Sequence, residues 1–360
     1  MGASLRLPVA TVLVIASSFF LTVTQGSCGS GSSNTDPYVH VQFVTPSTGW
    51  IVGSRLLQTT DGGKSWRVID KGGDGTIRSE TIVDDLRRFQ FINPDVGITW
   101  RGNVFKRTTD SGRTWAESFS IPPPNEYQLL AFYFLNAMEG WAAGRNVYYT
   151  DNGGRSWQQL APTPTGDYQH QRRIRIDPES ANYWPLLRFT TSKNGVMAKL
   201  DGMVFLTHDG GKSWQYVFEA NTRLSDLFFS DNLDGWLVGN GGFVARTRDG
   251  GQTWVPIKTP ANNDLIAVHF VNSNVGCAVG SKSTIVCTKD GGTTWTSASV
   301  KSLPATLPLL VSVSFADELN GWAVGGFGIE SSSVLFPSSS NIVLTTKDGG
   351  LSWEPVNLSD

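Results

Sequence analysis

The chain has 360 residues and a formal charge of −2. That balance excludes a general nucleic-acid binder and an acidic-tail protein, and the length allows either two domains or one large all-β unit. The 39 glycines and 13 tryptophans point to short strands in repeated hairpins. Glycine supplies the positive-φ steps of tight turns, and tryptophan supplies large buried area per residue.

Residues 1–27 read as a signal peptide. Arg6 gives a positive start, residues 7–23 form an apolar run softened by Pro8, Ser17 and Ser18, and small residues follow at Gly26-Ser27-Cys28. A retained anchor is the alternative, because the run is nearly long enough to span a bilayer. Cleavage is favoured because no cytoplasmic-type flank follows it. The small pair before Cys28, with Gly29-Ser30-Gly31-Ser32-Ser33-Asn34 after it, resembles a bacterial lipoprotein, although Gln25 stands where an aliphatic residue is usual. Residues 28–37 then form a flexible tether with Cys28 as the lipidation site. The alternative is cleavage just before an unmodified, disordered Cys28. Both readings export the protein to a periplasmic, lumenal or cell-surface location, and lipidation would tether it to the membrane.

Residues 38–360 carry an internal repeat. Its first part is an alternating apolar segment, as in Val41-Gln42-Phe43 and Val313-Ser314-Phe315, which argues for a half-buried strand A. A second segment, as in Gly49-Trp50-Ile51-Val52-Gly53 and Gly321-Trp322-Ala323-Val324-Gly325, gives strand B. Strand C leads into a box of pattern Ser/Thr-x-Asp-x-Gly-x-Ser/Thr-Trp, first seen as Thr59-Thr60-Asp61-Gly62-Gly63-Lys64-Ser65-Trp66. Strand D begins at the box tryptophan. The box recurs at residues 108–115, 150–157, 207–214, 247–254, 288–295 and 346–353. Its acidic position is held by Asp61, Asp110, Asn152, Asp209, Asp249, Asp290 and Asp348, with Asn152 the departure. Four strands per unit, repeated seven times, predict an all-β seven-bladed β-propeller of four-stranded antiparallel blades.

Turn chemistry accounts for the box. The aspartate accepts from following amides, glycine takes the positive-φ step, and the hydroxyl bonds back across the turn. The tryptophan is expected to plug the space beside the next sheet. These seven side chains are therefore structural and not catalytic or calcium-binding. His40, His170, His208 and His269 lack ligand spacing, so no metal is expected, and no phosphate loop or other cofactor motif is present.

The box resembles the Asp-box, or bacterial neuraminidase repeat, of sialidases, sortilin-type receptors and some glucanases. Seven tandem boxes with Gly-Trp-x-Val-Gly strands resemble more closely the photosystem II stability and assembly factor family, over residues 38–360. That resemblance implies a non-catalytic, monomeric scaffold that binds a membrane-associated protein partner through an arginine-rich patch, in the context of photosynthesis. The patch is not matched to that family position by position.

Topology supplies candidates for it. In an up-and-down blade the A–B and C–D turns share one face, while B–C turns and D-to-A connections share the other. The long insertions at residues 71–85, 161–184 and 327–340 all belong to the second face, where recognition loops concentrate. Arg55, Arg101 and Arg145 follow strand B of three consecutive blades, and Arg78, Arg172, Arg173 and Arg175 sit in the insertions. The alternative is ordinary surface arginine balanced by neighbouring carboxylates. Cys277 and Cys287 flank Lys282 symmetrically, which places them opposite each other in a hairpin. Both a cross-strand disulfide and two buried thiols remain open. A sialidase-type glycoside hydrolase is the competing function, with Arg55, Arg101 and Arg145 as a triad and Tyr168 on the same face, but no tyrosine is obviously paired with a glutamate. A two-propeller endoglucanase needs more repeats than the chain has.

Overall fold

The computed structural model describes residues 38–53, 55–70, 89–101, 104–120, 131–164, 185–302, 307–326, 341–356 and 358. They form seven antiparallel sheets, each built from consecutive strands in the order A-B-C-D. Blade 1 comprises His40–Phe43, Gly49–Val52, Leu56–Thr59 and Arg67–Asp70; blade 2 comprises Phe89–Phe91, Gly97–Arg101, Val104–Thr108 and Ala116–Ser120. Blade 3 comprises Ala131–Phe134, Gly140–Ala143, Asn146–Thr150 and Gln158–Pro162; blade 4 comprises Leu186–Phe189, Gly195–Ala198, Met203–Thr207 and Gln215–Glu219. Blade 5 comprises Leu224–Phe229, Gly235–Gly239, Val244–Thr247 and Val255–Ile257; blade 6 comprises Leu265–Phe270, Gly276–Gly280, Ile285–Thr288 and Thr296–Ser297. Blade 7 comprises Leu309–Phe315, Gly321–Gly326, Asn341–Thr346 and Ser352–Pro355. The seven-bladed propeller read from the repeat is the fold. Strand D starts one residue after the box tryptophan in blades 1–6 and one before it in blade 7. In blade 3 it runs on through Pro162, so the following connection is shorter than the 161–184 insertion read from the sequence.

The core is divided among the seams between blades. Each seam holds its own apolar cluster, such as Trp50, Leu56 and Phe91 between blades 1 and 2, and Trp236, Val268 and Phe270 between blades 5 and 6. A single four-stranded sheet leaves apolar area on both faces, and only neighbours on each side cover it. In blades 1, 3, 5 and 7 the strand B tryptophan lies flat on the strand A phenylalanine of the following blade. The pairs are Trp50 on Phe91 at 3.7 Å, Trp141 on Phe189 at 3.7 Å, Trp236 on Phe270 at 3.5 Å and Trp322 on Phe43 at 4.5 Å between centroids. The box tryptophan meets its own blade's phenylalanine edge-on, as Trp254 does Phe229 at 6.0 Å, a favourable quadrupole geometry. It faces the preceding sheet, not the next one: Trp353 of blade 7 packs with Cys277 and Cys287 of blade 6. Reaching forward is the work of the strand B tryptophan. Gly49 allows the close strand A–strand B contact, because a Cβ there would lie 2.7 Å from the Phe43 ring.

In blade 6 a disulfide joins Cys277 and Cys287, which face each other across strands B and C with Cα atoms 4.1 Å apart. It occupies the place that tryptophan fills in the odd blades, beneath the blade 7 box at Gly350.

The inner A strands are linked around the axis by polar side chains. Gln42 of blade 1 donates to Phe91 O at 2.8 Å and accepts from Phe91 N at 2.9 Å; Gln90 repeats this toward Phe134 of blade 3. Arg188 of blade 4 lies over the Tyr133 ring and 3.7 Å from Asp226 of blade 5, whose other oxygen accepts from Val268 N of blade 6. His269 of blade 6 packs against Phe228, with ring centroids 4.8 Å apart. Ser312 and Ser314 of blade 7 accept from Val41 N and Phe43 N of blade 1 at 3.1 and 3.0 Å, completing the girdle. The Nε2 of His40 and the Nδ1 of His269 are sealed from solvent without a hydrogen-bond partner, although neither ring is wholly covered. Burial draws both imidazoles down from the usual 6.5 to about 4, with Arg188 adding to the effect at His40.

A strand unforeseen in the sequence, Ser299–Val300, leaves blade 6 and pairs in parallel with Ser352–Pro355 at the outer edge of blade 7. It covers an edge that would otherwise expose unpaired amides and carbonyls.

Candidate partner-binding face

The face formed by A–B turns and boxes is closed on itself. In the first box the Thr59 hydroxyl donates to Asp61 Oδ1 at 2.8 Å and accepts from Gly63 N at 2.8 Å. Ser65 N donates to Asp61 Oδ1 at 2.9 Å, and the Ser65 hydroxyl to Oδ2 at 2.6 Å. Those bonds from Ser65, then Thr59, hold the Asp61 carboxyl down at about 2. At Asp348 burial opposes the same set of bonds, yet they still bring it to about 2. In blade 3 the amide oxygen of Asn152 accepts from Thr150 and Ser156 N, and its NH₂ donates to the Ser156 hydroxyl at 2.7 Å. Reversing one donor thus lets asparagine replace aspartate. Each box also donates to its own A–B turn, as Gly62 N does to Ser47 O at 2.9 Å and Gly349 N to Leu319 O at 3.0 Å. With both oxygens engaged locally, these carboxylates are spent on the turn. Among the described residues no group of three or more His, Cys, Asp or Glu side chains could hold a metal ion.

Two structural arginines escaped the sequence reading. Arg246 of blade 5 is buried, pairs with Asp234 and donates to Gly291 O of the blade 6 box. Arg107 of blade 2 donates to Ala137 O and Gly153 O of blade 3 at 3.0 and 3.3 Å. Each immediately precedes a box threonine, which is the signal that would have found it.

The opposite face carries the B–C turns and the D-to-A connections. Arg55, Arg101 and Arg145 stand at the B–C edge of blades 1, 2 and 3 in succession, with Arg55 half-buried and Arg145 exposed. Arg78, Arg172, Arg173, Arg175, Tyr168 and Cys28 lie outside the described residues. The structure adds cations that the sequence reading omitted: Lys199 in the blade 4 turn, Arg223 and Lys258 on the connections flanking blade 5, and Lys282 in the blade 6 turn. Lys199 is buried, which draws its ammonium below the usual value, and its Nζ donates to Pro164 O at 3.4 Å. Burial pushes the neighbouring Asp201 carboxyl up.

The two faces therefore differ in charge. Among the described residues, cations on the loop-rich face outnumber the carboxylates there, which are Asp70, Asp201, Glu219 and Asp264. On the box face the balance reverses, because Asp95, Glu139, Asp231, Asp234, Asp317 and Glu318 in the A–B turns add to the box aspartates.

Fold and site together define a seven-bladed Asp-box propeller with a self-satisfied turn face and a cationic loop face. The sequence model of the family described as "Photosynthesis system II assembly factor YCF48" matches residues 33–175 and 254–360, and the chain belongs to that family. A "Photosystem II assembly protein Ycf48" from Synechococcus sp. (strain JA-2-3B'a(2-13)) is 24% identical over 260 residues, covering 61% of this chain and 74% of the relative. A structure described as "YCF48 bound to D1 peptide" superposes with a TM-score of 0.58 at 19% identity, covering 82% of this chain and 90% of that one. The GH74 enzyme of Niastella koreensis shares the fold with a TM-score of 0.58 at 13% identity, covering 89% of this chain but 54% of that one. At such identities the structural likenesses speak for the fold alone.

Proposed function

We propose that this chain is a non-catalytic, extracytoplasmic scaffold that binds a protein segment during photosystem II assembly, through its loop-rich face. The charge difference between the two faces carries the reading: one is cationic, and the other is acidic with its box carboxylates consumed by their own turns. Family membership and the peptide-bound Ycf48 support the partner class. Arginine suits the task, since its planar fork pairs with carboxylates and stacks on aromatics while staying charged. In the same reading residues 1–27 are a signal peptide, residues 28–37 a tether lipidated at Cys28, and the propeller a monomer held at the membrane.

The test compares three proteins in pull-downs of a tagged chain from photosynthetic membranes: wild type, a triple change of Arg172, Arg173 and Arg175 to alanine, and a control changing Lys64 and Lys212 on the box turns. In this reading the three arginines are surface residues, so the triple variant should lose the partner with its fold intact; surface substitutions usually shift stability by under about 0.5 kcal/mol. Capture should also weaken as salt rises. Loss in the control alone would reverse the face assignment. Hydrolysis of a sialoside or glucan by wild type but not by Tyr168→Phe would replace the scaffold with a glycosidase.

A further inference from the structure

The B–C turns of blades 5 and 6 are one turn built from two different sequences. In both, a single 3₁₀ turn links strands B and C, over Asn240–Gly242 in blade 5 and Ser281–Ser283 in blade 6. Their hydrogen bonds correspond. Gly239 N donates to Phe243 O at 3.0 Å, and Gly280 N to Thr284 O at 2.9 Å. Asn240 N donates to Arg223 O at 3.0 Å, and Ser281 N to Asp264 O at 2.9 Å. Both turns require two successive left-handed residues. Blade 5 supplies Gly241 and Gly242 with φ of 67° and 76°, and blade 6 supplies Lys282 and Ser283 with φ of 54° and 56°.

A side chain in that conformation is disfavoured, so each replacement of glycine needs a compensating gain. Ser283 has one, because its hydroxyl donates to Pro308 O at 3.4 Å, an oxygen its amide also meets at 2.8 Å. Lys282 has none among the described residues. Its side chain is exposed and forms no hydrogen bond or ion pair with any described residue. A Cβ at the equivalent Gly241 would meet nothing within 4 Å, so this corner of the turn opens to solvent. Asp264, the nearby carboxylate, already accepts from Gly241 N at 2.8 Å. The backbone would be served better by glycine, and what lysine adds is an exposed ammonium group on the face that also carries Arg223 and Lys258.

We propose that Lys282 is a partner-contact residue that takes a carboxylate of an acidic peptide segment. The inference rests on the reading of the loop-rich face above and extends it from blades 1–3 to blade 6. The test measures binding of a fluorescein-labelled D1 peptide by anisotropy to wild type, Lys282→Gly, Lys282→Asn and Arg145→Ala, with thermal melting of each. Lys282→Gly and Lys282→Asn should each weaken binding roughly two- to fivefold, the range of an exposed ion pair. Lys282→Gly should melt at or above the wild-type midpoint, because glycine relieves the left-handed step. If Lys282→Gly binds like wild type while Arg145→Ala weakens binding, Lys282 is no contact and the cationic face stands. If Lys282→Gly melts clearly lower, the lysine serves the fold and the inference falls. If wild type does not bind, or all variants bind alike, the reading of the face fails as well.

Discussion

Trp322 of the last blade lies on Phe43 of the first, with ring centroids 4.5 Å apart and an interplanar angle of 25°. Among the described residues no strand is shared between these blades, so this stack, the Ser312 and Ser314 hydrogen bonds and the bond from Tyr38 N to Asn341 Oδ1 close the ring. Trp322→Ala should cost about 3–5 kcal/mol, the usual range for emptying a packed aromatic site. Ser314→Ala should cost about 1 kcal/mol by removing one hydrogen bond. Urea unfolding monitored by tryptophan fluorescence ranks the two, and equal costs would contradict closure by packing.

The Cys277–Cys287 bond closes a loop with a sequence separation of 10. Thiol counting on the denatured, unreduced protein should find neither cysteine free. Replacing both by alanine should destabilise the chain by about 2–4 kcal/mol, the typical worth of a disulfide. Two reactive thiols in that assay would show that the bond is absent in solution.

Protonation of the two axial histidines gives a pH signature. The unfolded chain binds protons at histidine near 6.5, whereas folded His40 and His269 resist them until about 4. Stability from their neutral burial is therefore complete above about pH 6.5 and is lost as pH falls toward 4. With both rings partly covered, the loss at pH 5 should be on the order of 1 kcal/mol per histidine. His269→Phe, which can keep the contact with Phe228, should flatten the decline of the urea midpoint between pH 7.5 and 5.

Asn152 shows how much substitution a box tolerates. Asp249→Asn should be nearly neutral, because the amide oxygen can accept from the Thr247 hydroxyl and Thr253 N as Asp249 does, while the NH₂ donates to the Thr253 hydroxyl in place of the third bond. Asp249→Ala leaves those donors without their acceptor and should cost about 1–2 kcal/mol. Melting temperatures of the two variants separate loss of charge from loss of acceptor.

Blade number, strand order and the sharing of faces were legible because the box, the Gly-Trp strand and the alternating phenylalanine segment each recur at fixed spacing. The direction of packing was not. Period-two alternation says that Trp50 and Phe43 are buried, but not which neighbouring sheet each one meets. The strap at Ser299–Val300 carries no strand signal of its own, since Ser-Val pairs only against an edge supplied by another blade. Arg145 could be assigned to the loop-rich face by topology alone. Lys282 could not be weighed until its backbone angle was known, because in sequence it is an ordinary turn lysine. Arg107 and Arg246 share one sequence signal, the place just before a box threonine, but the neighbouring blade's carbonyls that they bond are visible only in the fold.

Each of the first six blades hands the chain to its successor through a covalent connection, whereas among the described residues the seam between blades 7 and 1 is held by side-chain packing and hydrogen bonds. Ring order and chain order are therefore separable properties of this molecule. A gene rearranged to begin at strand A of blade 5, with the old ends spliced, would encode all seven seams again. The covalent break would then fall at the Trp254 seam, which packing would have to hold in its place.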